Sequence, residues 1–208
     1  MSVAHEHHPE SWPEGPLKYV KQGHPEPWTI EEVLALGEER GERRELVGEM
    51  LVMSPAPGSK HQRASSRLWR LLDAAAEAAG APVEVFGTVN VVLPEGLFIP
   101  DIAVVDAAAA EEDPVTFDAE AVLLVVEIVS PSSSGRRMDR LLKPPFYADA
   151  GIEHLWRLEL EPVPALIVSQ LENGRYVERL AAEAGRTTLI EKPFPVEVDP
   201  EALLRRKR

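Results

Sequence analysis

Two acidic residues lie in strongly apolar segments of this sequence. Asp101 follows Pro100 in LFIPDIAVV, and Glu127 lies in AVLLVVEIVS, where eight of the ten residues are aliphatic. A run this apolar is typical of a strand in the middle of a sheet, where an ionised carboxylate is costly to desolvate. Each acid therefore needs a partner, and the kind of partner determines what chemistry the acid can do.

Two kinds of partner could satisfy these acids. If their strands are neighbours, Asp101 and Glu127 can project into one cavity, where their repulsion requires a cation or a shared proton. Mg²⁺ suits such a pair, because it typically binds one or two carboxylates and keeps waters for substrate chemistry. Alternatively, each acid pairs with a nearby arginine or caps a loop, and no metal is involved.

The cations of this acidic chain are concentrated in two segments. The formal net charge is −13, which argues against a general nucleic-acid coat protein, because such proteins are basic. Residues 54–72 nevertheless contain four cations and no acid, and residues 128–148 contain four cations and one acid. Either patch could bind a polyanion locally, although a single arginine could equally belong to an ordinary solvated helix face.

The composition excludes several classes of protein. The chain has no cysteine, which excludes a disulfide scaffold and a cysteine-ligated metal. No segment reaches the roughly 18 apolar residues of a membrane span, and the N-terminus does not resemble a signal peptide. We therefore expect a cytoplasmic protein. Few Asn and Gln with abundant Glu, Arg, Ala and Pro resemble thermophile usage, a bias that genome composition could also produce.

The pattern of apolar residues predicts one mixed α/β domain over residues 28–208, preceded by an extended, proline- and histidine-rich arm over residues 1–27. The predicted elements are, in chain order, a short helix capped by Thr29, a hairpin at Gly48, a helix over 60–79 capped by Ser59, strands over 83–93, 97–105 and 121–129, a helix from about Arg137, and strands over 154–160, 165–171 and 175–180. Pro144 and Pro145 must break or kink the helix that begins near Arg137, and a second short helix could restart there and end at Gly151.

Four segments resemble known enzymes when they are taken in order. They are RELVGEMLVMSPAPGSKH (44–61), FIPDIAVV (98–105), LLVVEIVSPSS (123–133) and DRLLKPPFYADAGIEHLW (139–156). The pair IPD and Glu127 resembles the PD-(D/E)XK phosphodiesterase superfamily, and the wider pattern resembles one branch of it, the Uma-type family of restriction-endonuclease-like proteins. The resemblance implies a restriction-endonuclease-like core, α/β of mixed type, with a mixed central β-sheet flanked by helices.

The same resemblance implies a metal site. Asp101 and Glu127 would hold Mg²⁺ or Mn²⁺, with the carbonyl of Ile128 as a third ligand. Glu45, in the early hairpin, would be the additional acid that completes the catalytic site.

The chain departs from the superfamily pattern at Val129, where the motif has a lysine. In the matching family the cation would come from the following helix, where Lys143 is the matching residue. Asp139, Lys143 and Tyr147 are spaced to share one face of a continuous helix, although the two prolines interrupt it. Lys143 could instead be an exposed partner of Asp139.

Near the same pocket the resemblance also places His61, which could equally be a packed core histidine. The implied reaction is metal-assisted hydrolysis of a phosphodiester, with DNA as the expected substrate. Candidates for contacts with backbone phosphates are Arg63, Arg67, Arg70, Arg136, Arg137 and Arg140.

Two alternatives to a DNA nuclease stay open at this point. The fold could be catalytically silent and serve as a binding or regulatory module, or the same chemistry could act on RNA or on a branched junction. A homodimer is also expected, because the late strands offer hydrophobic edges.

Overall fold

A computed structural model of the protein describes residues 18–19, 26–37, 42–48, 50–129 and 138–206. Its strands are β1 (Lys18–Tyr19), β2 (Glu42–Val47), β3 (Met50–Pro55), β4 (Val83–Gly87), β5 (Asn90–Leu93), β6 (Gly96–Phe98), β7 (Ile102–Asp106), β8 (Thr116–Asp118), β9 (Val122–Ile128), β10 (His154–Glu159), β11 (Ala165–Glu172), β12 (Arg175–Glu183), β13 (Thr188–Ile190) and β14 (Val196–Val198). Its helices are α1 (Ile30–Ala35), α2 (Ser59–Ala79), α3 (Ala107–Ala110) and α4 (Lys143–Asp149), with a 3-10 turn over Ala119–Ala121 and a π-helical turn over Met138–Leu142.

The described strands form two six-stranded sheets and one two-stranded sheet. The first sheet has the order β1-β3-β2-β6-β5-β8, the second has the order β12-β11-β10-β9-β7-β4, and β13 pairs with β14. In the second sheet β9 runs parallel to β10 and antiparallel to β7. The predicted fold class, a mixed sheet flanked by helices, is therefore confirmed. The first sheet is an addition that the sequence pattern did not separate from the second.

Strand β9 is apolar because both of its faces are covered. Leu124, Val126 and Ile128 belong to a core cluster that includes the buried residues of α2. Val125 belongs to a second cluster, on the other face of the sheet, that includes Tyr147 of α4. Burial on both faces explains the continuous run of aliphatic residues. Because successive side chains alternate between faces, Glu127 shares the face of Val125.

Two long predicted strands are each divided between the two sheets. The segment 83–93 breaks after Gly87, because Thr88 has a φ of 57°, in the left-handed region that ends regular pairing. The segment 97–105 breaks at Pro100, which has no N–H to donate to a ladder. The chain therefore crosses from the first sheet to the second at Asp101, so this acid lies at the boundary between them.

The predicted hairpin of β2 and β3 is confirmed, and β2 also pairs with β6. Gly96 makes the second pairing possible. It has a φ of 153°, and a Cβ at this position would collide with the carbonyl oxygen of Leu46. This close approach brings Glu45 of β2 beside the crossover that contains Asp101.

Helix α2 packs against the second sheet through residues spaced three or four apart. Its buried residues are His61, Ala64, Leu68, Leu72 and Ala76. The helix ends at Gly80, which has a φ of 60°, as predicted. The predicted cap is wrong by one residue, because Gly58 is the N-cap and Ser59 is the first helical residue. The backbone geometry at Gly58 therefore starts the helix without a side-chain hydrogen bond.

The two prolines lie at the start of a short helix, in agreement with the predicted restart. Arg137, where the predicted helix begins, lies outside the described residues. The π-helical turn over Met138–Leu142 leads into α4, where Pro144 and Pro145 fall in the first turn. A missing N–H is tolerated there, since the first N–H groups of a helix have no intrahelical acceptor. Lys143 and Tyr147 therefore lie one turn apart on α4, and both are buried.

The remaining elements form the rest of the second sheet and the terminal parts of the chain. The predicted meander is confirmed as β10, β11 and β12, with Asn173 and Gly174 both at positive φ in the last turn. The hairpin β13–β14 was not predicted. Within the predicted arm, Lys18–Tyr19 pair with β3. Among the described helices, none has the length and apolar character needed to cross a membrane.

Candidate active site

Asp101 is buried at the crossover between the sheets and binds three other parts of the chain. Arg43 Nη1 donates a hydrogen bond of 2.7 Å to its Oδ1, and His61 Nε2 lies 2.9 Å from the same oxygen. The other oxygen, Oδ2, accepts the backbone N–H of Ile128 at 2.7 Å. One carboxylate therefore joins β2, α2 and the end of β9.

Glu127 is buried on the face of the second sheet that α4 covers. Its Oε1 accepts a hydrogen bond of 3.1 Å from Lys143 Nζ and one of 2.6 Å from the hydroxyl of Tyr147. The two donors come from successive turns of α4, so the restart of the helix at the prolines positions both of them. Both donors use the same oxygen, which leaves Oε2 as the atom that would carry a proton.

Lys143 links Glu127 to a third acid. Its Nζ lies 2.8 Å from Glu45 Oε1, and that oxygen also accepts the backbone N–H of Ile99 at 2.9 Å. Val129, at the position of the motif lysine, is buried and donates its N–H to the carbonyl of Leu158. The ammonium that reaches Glu127 therefore comes from position 143 on α4, as the family resemblance implied.

Asp101 and Glu127 face each other across neighbouring strands. Ile102 of β7 pairs with Val126 of β9 in an antiparallel register, so the next residues on each side are Asp101 and Glu127. Opposite residues of an antiparallel pair project from the same face. The prediction that the strands of the two acids are neighbours is therefore confirmed.

Each of these acids also has a cationic partner, as the alternative interpretation required. Asp101 pairs with Arg43, and Glu127 pairs with Lys143. The acids do not lie in separate ion pairs, however, because Glu45 shares Lys143 and because Asp101 binds the backbone directly after Glu127. The arrangement is one connected cluster of three carboxylates.

The pKa values of the two central acids move in opposite directions. For Asp101, burial raises the pKa, but the hydrogen bond and charge of His61 and the charge of Arg43 outweigh it and lower the pKa to about 2. For Glu127, burial dominates and raises the pKa to about 8, in spite of Lys143. Asp139, Asp101 and Glu45 raise it further. Burial is thus the main reason why the protonated form of Glu127 is favoured, and the three neighbouring acids add to it.

The donors on α4 keep their protons throughout the ordinary pH range. Burial would lower the pKa of Lys143, but the charges of Glu127 and Glu45 outweigh this and raise it. Burial and the same two acids raise the pKa of Tyr147 well above its ordinary value. Lys143 is therefore a cation and Tyr147 a hydrogen-bond donor.

Other predicted site residues lie around this cluster or apart from it. Asp139 is half-buried and close enough to raise the pKa of Glu127. Arg140 forms a two-point ion pair with Glu159, and Arg67 donates to the carbonyls of Ala202 and Leu203. The guanidinium groups of these two arginines therefore bind other groups of the protein, which compete with any contact to a phosphate. Arg136 and Arg137 lie outside the described residues, and Arg63 makes no recorded ion pair within them.

Arg43 is a member of the cluster that the sequence analysis missed. It lies two residues before Glu45 on β2, so both side chains project from the same face of the strand. Side chains two positions apart on a strand lie on the same face. The expected position of Glu45 in the site could therefore have predicted Arg43 beside it. The identity of its partner depends on the crossover at Asp101, which the sequence does not reveal.

The cluster fits a divalent ion in its donor chemistry and in its charge. Asp101 and Glu127 offer hard oxygen atoms, as Mg²⁺ and Mn²⁺ prefer. Among the described residues, no three or more His, Cys, Asp or Glu side chains are grouped so as to hold a metal. An ion would therefore rely on two carboxylates and water, which is typical of Mg²⁺. Its charge would favour the ionised form of Glu127.

Comparison with known proteins agrees with this architecture. A crystal structure described as a putative nuclease from Anabaena variabilis is similar to this chain with a TM-score of 0.67 and 18% sequence identity. The match covers 86% of this chain and 100% of that one, and at this identity it shows a shared fold. No curated protein sequence matches the chain. A family model described as "Putative restriction endonuclease" matches residues 30–203, and the chain therefore belongs to that family, Uma2.

Proposed function

We propose that this protein is a divalent-metal-dependent nuclease that hydrolyses phosphodiester bonds of DNA. The observation that supports it best is the placement of Asp101 and Glu127 opposite each other on neighbouring strands, inside one buried cluster with Lys143. The three buried carboxylates of this cluster outnumber the two cations, Arg43 and Lys143, that pair with them, and a bound divalent ion would offset the difference.

In this proposal Asp101 and Glu127 hold Mg²⁺ or Mn²⁺, with the carbonyl of Ile128 as a further ligand. The ion supplies polarisation of a phosphoryl oxygen and lowers the pKa of the attacking water. Lys143 places its positive charge where negative charge develops on the phosphoryl group. Glu45 acts as a positioning residue, because its contact holds the ammonium of Lys143 in place.

Arg43 has a separate role in the proposal. It is only partly buried, with 22% of its side chain exposed, and it reaches the outer oxygen of Asp101. Its guanidinium would place a positive charge and hydrogen-bond donors where a phosphate approaches this carboxylate. His61 contacts the same oxygen and would help to orient Asp101.

The experiment is cleavage of a supercoiled plasmid with Mg²⁺ or Mn²⁺ present. Wild-type protein should nick the plasmid, and Glu127→Gln should not, while its circular dichroism spectrum stays unchanged. Glu84→Gln, which changes an exposed glutamate of β4, is the matched control and should cleave like wild type. Cleavage by Glu127→Gln at the wild-type rate would remove Glu127 from the mechanism.

The competing function is a catalytically silent module that binds a partner. The observation that favours it is the pairing of each central acid with its own cation, Arg43 for Asp101 and Lys143 for Glu127. It requires that wild-type protein neither binds a divalent ion nor cleaves any nucleic acid. The plasmid assay and a metal titration therefore distinguish the two functions.

A homodimer is part of the proposal as well. Strand β12 is an edge of the second sheet among the described strands, and an edge can pair with a second copy. Light scattering at micromolar protein should give the mass of a dimer. A monomer mass would contradict this part alone.

A further inference from the structure

A groove leads from the protein surface to the candidate active site. It has a volume of about 520 Å³ and lies between α2 and the end of β4. Its lining includes Arg43, His61 and Asp101, which belong to the candidate active site. It also includes Trp69, Arg70 and Phe86, which do not. This volume falls in the range of small-molecule sites and is far smaller than a DNA duplex.

The groove has an aromatic wall that the protein holds in place. The indole N–H of Trp69 donates a hydrogen bond of 2.8 Å to the carbonyl of Val85, which fixes the ring on α2 against β4. The ring of Phe86, the residue after Val85, instead contacts Phe117 in the cluster on the other face of the sheet, with ring centroids 5.1 Å apart. Trp69 is only partly buried. A fixed aromatic ring beside an open groove offers a surface on which a flat, apolar ligand can stack.

The charge of the groove suits an anion, although the protein as a whole is acidic. Arg70 is exposed, lines the groove and has no ion pair among the described residues. Arg43 also lines the groove but is paired with Asp101, so Arg70 is the lining arginine without an ion pair among the described residues. On a chain with a formal net charge of −13, an unpaired arginine beside a fixed tryptophan in a groove is a local exception. A ligand that combines a negative charge with a flat ring fits it best.

We propose that this groove binds one unpaired nucleotide of the DNA strand next to the phosphate that is cleaved. Its base stacks against Trp69, and its phosphate contacts Arg70. A base can stack on a side chain only after it has left its pair, so the substrate is single-stranded DNA, a frayed or flapped end, or a duplex that opens locally, as a negatively supercoiled plasmid does. This inference rests on the proposed nuclease function for the position of cleavage. The binding step itself requires no metal.

The test is fluorescence anisotropy with a short fluorescein-labelled single-stranded DNA and the same sequence in a blunt duplex, both with EDTA. The wild type should bind the single strand at least about fivefold more tightly than the duplex, because only unpaired bases can stack. Equal affinity for the two probes would overturn the proposal.

Ser65→Trp tests whether the groove is the place of binding, because Ser65 lines it and a tryptophan there would fill it. Affinity for the single strand should fall at least about tenfold, which corresponds to the loss of base stacking. Ala74→Trp is the control, because Ala74 is exposed on the opposite side of α2. Circular dichroism confirms that both variants fold. A folded Ser65→Trp protein with wild-type affinity would overturn the proposal.

Arg70→Gln provides a second test that needs no change in the packing. It should weaken single-strand binding about three- to tenfold, since one phosphate contact is lost. Arg186→Gln removes the same charge from an exposed turn after β12, at the opposite edge of the sheet, and should have little effect. Equal effects of the two substitutions would show that only net charge matters, which contradicts a specific contact.

The same assay separates this inference from the nuclease proposal. Glu84→Gln should bind the single strand like wild type, because Glu84 is exposed and does not line the groove. If wild-type protein binds the single strand but never cleaves DNA, the groove stands and the nuclease proposal fails. If the protein cleaves DNA but Ser65→Trp changes neither binding nor cleavage, the nuclease proposal stands and the groove fails.

Discussion

The carboxylate of Asp101 and the backbone N–H of Ile128 form a hydrogen bond of 2.7 Å that joins the beginning of β7 to the end of β9. The bond continues the β7–β9 pairing one step beyond the last paired residues. It therefore fixes Asp101 beside the backbone that carries Glu127. The position of the two acids follows from the sheet itself and does not depend on a flexible loop.

The first prediction concerns the cation between two acids. Lys143→Met should lower the free energy of unfolding by about 3–5 kcal/mol, since Glu45 and Glu127 lose a buried partner. Lys60→Met is the control, because the Lys60–Glu161 pair is largely exposed and should contribute less than about 1 kcal/mol. Urea unfolding at neutral pH measures both. Similar small effects would show that Lys143 does not hold the cluster together.

The second prediction concerns pH. The folded-state pKa of Glu127 is raised from 4.5 to about 8, so between these values the folded protein keeps a proton that the unfolded chain has lost. The free energy of unfolding should therefore decrease as the pH rises through this window. Glu127→Gln removes that decrease. The free energy of unfolding of this variant should equal that of wild type near pH 4.5. Above a pH of about 8 it should exceed that of wild type by about 1–3 kcal/mol.

Urea unfolding across this pH window measures the difference between the two proteins. Glu84→Gln should follow the wild-type curve throughout, because its side chain is exposed. Asp101 does not interfere, since its lowered pKa contributes stability that is lost only as the pH falls from 3.8 to about 2. A constant difference between Glu127→Gln and wild type would contradict the raised pKa.

The third prediction compares two buried tyrosines. Tyr147→Phe removes a hydrogen bond to Glu127, and Tyr176→Phe removes one to the carbonyl of Ile152. Each substitution should lower the free energy of unfolding by about 1 kcal/mol at mildly acidic pH, as expected for a hydrogen bond between neutral groups. Above a pH of about 8, where Glu127 ionises, the cost of Tyr147→Phe should rise to about 2 kcal/mol. Chemical denaturation at the two pH values would contradict the assignment if both costs stayed constant.

The sequence predicted the acids of this site better than their partners. Glu127 was a strong signal, because an acid in a doubly buried strand is rare and must be satisfied. Lys143 and Tyr147 could be inferred from the family resemblance and from their spacing, since the prolines start α4 and do not disturb it. Arg43 was missed because its contact with Asp101 depends on how β2 lies against the crossover.

The fold was predicted in class and in most elements, but the division into two sheets was not. Segments 83–93 and 97–105 are apolar throughout, and their breaks depend on Thr88 at positive φ and on Pro100. A local pattern of apolar residues cannot show that the two halves of a segment pair with different strands. The hairpin β13–β14 was missed because each of its strands has only three residues. The limits of the predicted arm and domain stay predictions.

The most direct test of the central claim is calorimetric titration of Mn²⁺ into the protein at a pH of about 8, where Glu127 can release its proton. Wild type and Glu84→Gln should bind the ion alike. Asp101→Asn and Glu127→Gln should each bind it at least about tenfold more weakly, because each removes one of two carboxylate ligands. Wild-type affinity in either of these two variants would contradict a metal site shared by Asp101 and Glu127.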